Sequence, residues 1–226
     1  MFREIMKIWR EQAFFVRIVD EFLFMLDRSE EMLSFAVESL SKHSEKDDVQ
    51  ENIYNKDQSI NLKERDIRKQ VILHLSANPG CNISACLALF SIIKDAERVG
   101  DYIKNLFELK NLLGDLPNDQ DLFKKLFEEN GSELKTLFKD VAASFKNSDK
   151  ELATKAVKNG RNISRKCEEL IVEAIETGSS NREAVVVSLG ARYMKRIALH
   201  LANISSSVIN PITEIDYIKV ESSDEE

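Results

Sequence analysis

Glu97 and Asp101 stand four residues apart in the stretch Asp95–Asn105. On a helix that spacing puts one side chain above the other, so both carboxylates leave from the same face. Like charges so placed repel by about 0.2–0.5 kcal/mol on a bare helix, and a cation, a basic side chain or water must compensate them. Asp57 and Asn61 repeat the spacing upstream. If the helices carrying the two pairs pack antiparallel, three carboxylates and one amide oxygen face each other. That donor set suits a hard or borderline divalent ion. Gly100, between the two later acids, leaves room for a close approach of backbone or ligand. The plainer reading is a solvated helix face on which Lys94 or Arg98 neutralises the acids.

Such pairs need helices to hold them. The 226 residues include only 7 Gly and 3 Pro, too few turn formers for strands that must reverse every ~8–12 residues. With 43% hydrophobic and 31% charged residues the chain is globular, long enough for one large helical domain or two small ones. Apolar periodicity predicts six helices. The first covers 11–42, with Phe15, Val19, Phe22, Leu26, Leu33, Val37 and Leu40 on one stripe, and the second 49–77, with Ile53, Ile60, Ile67, Val71 and Leu75 inward. The third covers 82–113, with Leu87, Phe90, Ile93, Val99 and Ile103 inward, and the fourth 119–147, where Gly131 marks a kink. Ser148-Asp149 caps the fifth, 150–176, and Asn181 caps the sixth, 182–209. Asn78-Pro79-Gly80, Gly114–Asn118 and Gly178–Ser180 break the chain between helices. Short joints between long helices give an all-α antiparallel bundle.

The two halves read as copies. Asp95–Asn105 aligns with Tyr193–Asn203: each has an Arg followed by a β-branched residue, a small residue two later and an Asn seven later. The period of about a hundred residues equals one three-helix unit, a duplication rather than a solenoid. The expected division is therefore two tandem three-helix bundles, 11–114 and 115–212. Residues 1–10 form an amphipathic segment, with Phe2, Ile5, Met6 and Trp9 opposite Arg3, Lys7 and Arg10, able to lie on a membrane surface or to pack on the bundle. Residues 213–226 form an acidic tail.

The segment Asp95–Asn105 resembles the signature of the PhoU family, Asp-Leu-Glu-Arg-Ile-Gly-Asp-His followed by Asn. Asp95, Glu97, Arg98, Gly100, Asp101 and Asn105 match it. Lys56–Asn61 is similar to that family's helix-two motif Asp-x-x-Ile-Asp, with Asn61 replacing the second acid, and Asn78-Pro79 falls at its proline break. The resemblance spans about residues 11 to 212. It implies two three-helix repeats whose outer faces present acidic pairs to a metal ion or cluster, here Asp57, Glu97 and Asp101 with Asn61 as a weaker fourth. Oxygen donors leave the ion open among Fe, Zn, Mn, Mg and Ca, divalent or trivalent. The resemblance also implies a negative regulator of phosphate uptake, with a phosphate transporter subunit and a histidine kinase as protein partners. The second repeat departs from the motif. Lys195 and Leu199 stand in place of the helix-three acids, and Gly160 and Ser164 in place of the helix-two acids, so no metal is expected there. His200 is expected to be a packed or surface imidazole.

Other classes are disfavoured. A net charge of −7 gives no broad nucleic-acid face. Cys81, Cys86 and Cys167 are odd in number without CxxC spacing, so they read as reduced thiols. No apolar run reaches the ~20 residues of a membrane span, and no signal peptide is visible, which places the protein in the cytoplasm unless a partner holds it at a membrane. Leu40, Val71 and Ile197 precede His43, His74 and His200 by three, so the Glu-x-x-His of di-metal oxidases is missing. No phosphate loop, HExxH or GxSxG occurs. The leading expectation is a metal-binding regulatory adaptor, not an enzyme, with room for a homodimer. The alternatives are a metal-free helical interaction module for another transport or signalling system, and a carboxylate-metal hydrolase.

Overall fold

The computed structural model describes residues 13–42, 47–113, 121–177 and 180–210. The amphipathic segment expected at 1–10 and the tail at 213–226 lie outside them. Six helical stretches make up the described chain, without a strand among those residues. We label them α1 (Ala13–Lys42), α2 (Asp47–Ala77), α3 (Ile83–Glu108, prolonged by the single turn Lys110–Leu113), α4, α5 (Lys150–Glu176) and α6 (Asn181–Ile209). α4 is composite: Asp121–Phe123, a π-helical stretch Lys124–Asn130, then Gly131–Asn147. The irregularity expected at Gly131 thus takes the form of a widened turn that ends there. A Cβ on Gly131 would meet Val37 of α1 at 3.1 Å, so the glycine lets the two helices approach.

Local chemistry sets the helix ends. The Asn82 side chain accepts from the Ala85 amide at 2.9 Å and opens α3. Asp149 accepts from the amides of Glu151 and Leu152, both at 3.0 Å, and opens α5. These groups satisfy amides that have no partner inside the helix. Just before it, Ser148 takes a left-handed φ of 54°, closing α4. The cap of α6 is Ser180, accepting from the Glu183 amide, and not Asn181, which is the first helical residue.

The helices bury one continuous apolar core that runs through both repeats. α5 and α6 make the most extensive pairing, α3 packs on α6 across the repeats, and α1 touches α2, α3 and α4. Phe22 of α1 meets Phe145 of α4 with ring centroids 4.9 Å apart. Most of the expected core is buried, but Leu87 is 54% exposed. It lies in the first turns of α3 with exposed Ile83, beside the break that separates α2 from α3.

Candidate functional site

α2 and α3 run antiparallel, and their shared outer seam carries all four residues expected to bind metal. Asp57, Asn61, Glu64 and Arg68 descend α2 at spacings of four, three and four, one stripe of the helix. Lys94, Glu97, Arg98, Asp101 and Lys104 climb α3 beside them. Beneath the charges the seam closes on Ile60, whose Cδ1 would stand 3.2 Å from a Cβ on Gly100. The close approach that Gly100 permits is therefore made by an aliphatic side chain of the neighbouring helix.

The charged groups form an unbroken alternating row. Asp57 Oδ2 accepts from Lys104 Nζ at 2.8 Å, and the same ammonium lies 3.5 Å from Asp101 Oδ1. Asp101 Oδ2 is 3.8 Å from an Arg98 guanidinium nitrogen, and Arg98 Nε is 3.9 Å from Glu97 Oε2. Glu97 Oε2 accepts from Lys94 Nζ at 2.6 Å, and that ammonium lies 3.7 Å from Glu64 Oε1. Arg68 closes the row 3.1 Å from Glu64. Glu64 Oε1 has these two cations beside it but no hydrogen bond of good geometry, so this is the row's loosest joint. Asn61 turns its amide nitrogen, not its oxygen, toward Asp57 Oδ2 at 3.4 Å.

Four acids and four bases sum to no net charge. The side chains of Asp57, Glu64 and Glu97 are each only 11% exposed, so their charges need partners close by. Burial works to lower the Lys104 pKa. The hydrogen bond and charge of Asp57, with Asp101 behind it, outweigh that and leave the ammonium harder to deprotonate than an ordinary lysine. As arranged, these residues do not fit a metal. Each carboxylate turned to the seam is met by a cation, and the expected amide donor presents nitrogen. No group of three or more His, Cys, Asp or Glu able to hold an ion occurs among the described residues.

The acids are brought together in a different combination from the expected one. Asp57 shares Lys104 with Asp101, while Glu97 shares Lys94 with Glu64. Glu64 is the residue sequence reasoning missed; its place seven beyond Asp57, on the same stripe, was the available signal. Lys94 and Arg98 do act as the neutralising groups of the plainer reading.

The second repeat builds its corresponding seam without this row. Lys195 pairs with Glu168 of α5. A Cβ on Gly160 would come 2.8 Å from the Ala198 carbonyl oxygen and 3.0 Å from the Ala202 Cβ, so α5 and α6 touch almost backbone to backbone. His200 faces the other repeat: its Nδ1 is 2.7 Å from Asp95 Oδ1, and its ring stacks on Tyr102 at 5.6 Å. Asp95, within the helix-three motif, thus serves the junction between repeats. Burial pushes the Cys86 thiol up to about 11 and Cys167 up to about 12, so neither is a nucleophile near neutrality.

Two three-helix units merged into one core, with a charged seam on the first only, define an all-α tandem-repeat protein with no catalytic constellation among its described residues. The chain belongs to the PhoU family: the PhoU domain matches twice, over residues 22–109 and 127–208. Its fold is similar to the crystal structure of PhoU from Pseudomonas aeruginosa, with a TM-score of 0.77 at 19% identity, covering 87% of this chain and 96% of that one. It is likewise similar to the phosphate transport system regulatory protein PhoU from Streptococcus pneumoniae, with a TM-score of 0.75 at 18% identity, covering 89% and 94%. Comparison with curated proteins finds no match.

Proposed function

We propose that the protein is a regulatory adaptor of phosphate uptake, acting by protein–protein contact and not by covalent chemistry. The observation that carries this reading is the double PhoU-domain match, one on each three-helix repeat. The similar fold of a phosphate transport system regulatory protein supports it. The partners are a phosphate transporter subunit and a histidine kinase, met on the cytoplasmic side of the membrane. No described helix is long and apolar enough to cross a bilayer. Exposed apolar side chains stand at both hairpin ends, Leu73 and Ile83 on the first and Ile175 and Val185 on the second, and offer apolar contact area to a partner.

The test is deletion in the native host with phosphate uptake followed in replete medium, together with capture of the tagged full chain. Loss of repression, and recovery of a phosphate transporter subunit or kinase, is the expected result. Unchanged uptake with capture of another transport system would instead favour the interaction module for a different client.

A further inference from the structure

We propose that Lys94 and Lys104 are the resident cations of the acidic seam, standing where a metal ion would otherwise bridge α2 to α3, and that this repeat folds without metal. The inference goes beyond the adaptor reading and holds whatever the client protein is, because it concerns the isolated chain.

Three observations carry it. Each lysine bridges one acid of α2 and one of α3: Lys104 joins Asp57 to Asp101, and Lys94 joins Glu64 to Glu97. Cross-linking two helices through shared carboxylates is what a coordinated divalent ion would do; an ammonium with three donors does it by ion pairing. The row is also electrically complete. Arg98 and Arg68 lie against the same acids, so an arriving divalent ion would meet two ammonium and two guanidinium groups within a few ångströms. Finally, both ammonium groups hydrogen-bond the carboxylates directly. Lys104 Nζ is 2.8 Å from Asp57 and Lys94 Nζ 2.6 Å from Glu97, so a metal on these oxygens would compete with them.

The full chain, purified without chelator, would be dialysed against MnCl2 or ZnCl2, its metal content measured, and its thermal unfolding followed with either salt or with EDTA. For the wild type we expect metal far below one ion per chain and a Tm that neither salt nor EDTA moves. The double variant Lys94→Met, Lys104→Met keeps the aliphatic stems and uncovers the acids. It should melt lower than the wild type, bind Mn2+ about a hundredfold more tightly through removal of two nearby unit charges, and recover Tm on Mn2+ addition. The variant Lys94→Arg, Lys104→Arg should stay metal-independent. If the double Met variant does not fold, Lys104→Met alone is read in the same way. A wild type that holds about one ion per chain and loses Tm in EDTA overturns the proposal. So does a Met variant, double or single, that gains no affinity for Mn2+.

Discussion

The α2–α3 and α5–α6 seams occupy corresponding places in the two repeats and are held by opposite means. In the first, eight charged side chains alternate over Ile60 and Gly100, and the helices stand far enough apart for side chains to mediate. In the second, Gly160 lies against the Ala198 backbone and Ala202, and Lys195 pairs with Glu168. One chain thus shows that a three-helix repeat tolerates either solution. The polar seam is adjustable, because long side chains can re-pair; the close-packed seam is not, because its contact involves backbone.

The largest difference should come from adding the same methyl group to each side. Gly160→Ala places a Cβ 2.8 Å from a carbonyl oxygen that cannot move without moving α6. The clash outweighs the gain in helix propensity. A loss of about 2 kcal/mol, or a Tm fall of about 4–8 °C, is expected in thermal unfolding. A neutral result would show that the two seams are equally compliant.

The next effect tests whether charge holds the first seam. Lys104→Met takes from the Asp57 carboxylate, 11% exposed, its charged partner and shorter hydrogen bond, leaving only the 3.4 Å contact from Asn61. The expected cost is about 1–2 kcal/mol, between that of a surface pair and that of a broken buried one. The Lys104 pKa is raised in the folded protein above its ordinary value of 10.5. Its charge contribution is therefore fully present below pH 10.5 and is lost as pH climbs through the folded value. The Tm gap between wild type and Lys104→Met should stay constant across the neutral range and narrow above pH 10.5. A gap that persists at higher pH would show that the effect does not come from the lysine charge.

The smallest effect is Gly100→Ala. Its Cβ would meet the flexible end of Ile60 at 3.2 Å, a neighbour that can give way. Helix propensity favours alanine by about 1 kcal/mol, so a change between zero and that gain is expected, opposite in sign to Gly160→Ala. Chemical denaturation of both variants side by side would settle the contrast.

Much of the fold was legible because helix ends carry their own signals. Asp149 and Glu176 bound α5 where capping and periodicity placed them, and Asn78-Pro79-Gly80 separates α2 from α3. Ser180 and Asn181 are both good caps, and which one serves depends on one residue of helix phase that local sequence does not fix. Leu87 has the right period for the core yet is 54% exposed, because periodicity does not say which turns of a helix a neighbour covers. At the site, four-residue spacing put Asp57, Glu97 and Asp101 on a common seam. It left open what compensates them, because lysine's long stem can serve an acid on its own helix or on the next. Only the relative height of α2 and α3 decides that Lys104 reaches Asp57 and Lys94 reaches Glu64.

The alternating order of the seam also governs how the protein looks from far away. Rows of opposite unit charges a few ångströms apart cancel beyond a Debye length of about 8 Å in physiological salt. Although the chain as a whole carries a charge of −7, these eight side chains add no net charge to its long-range field. They neither draw in an approaching protein nor turn it away. The row is read only on contact, by the spacing of donors and acceptors.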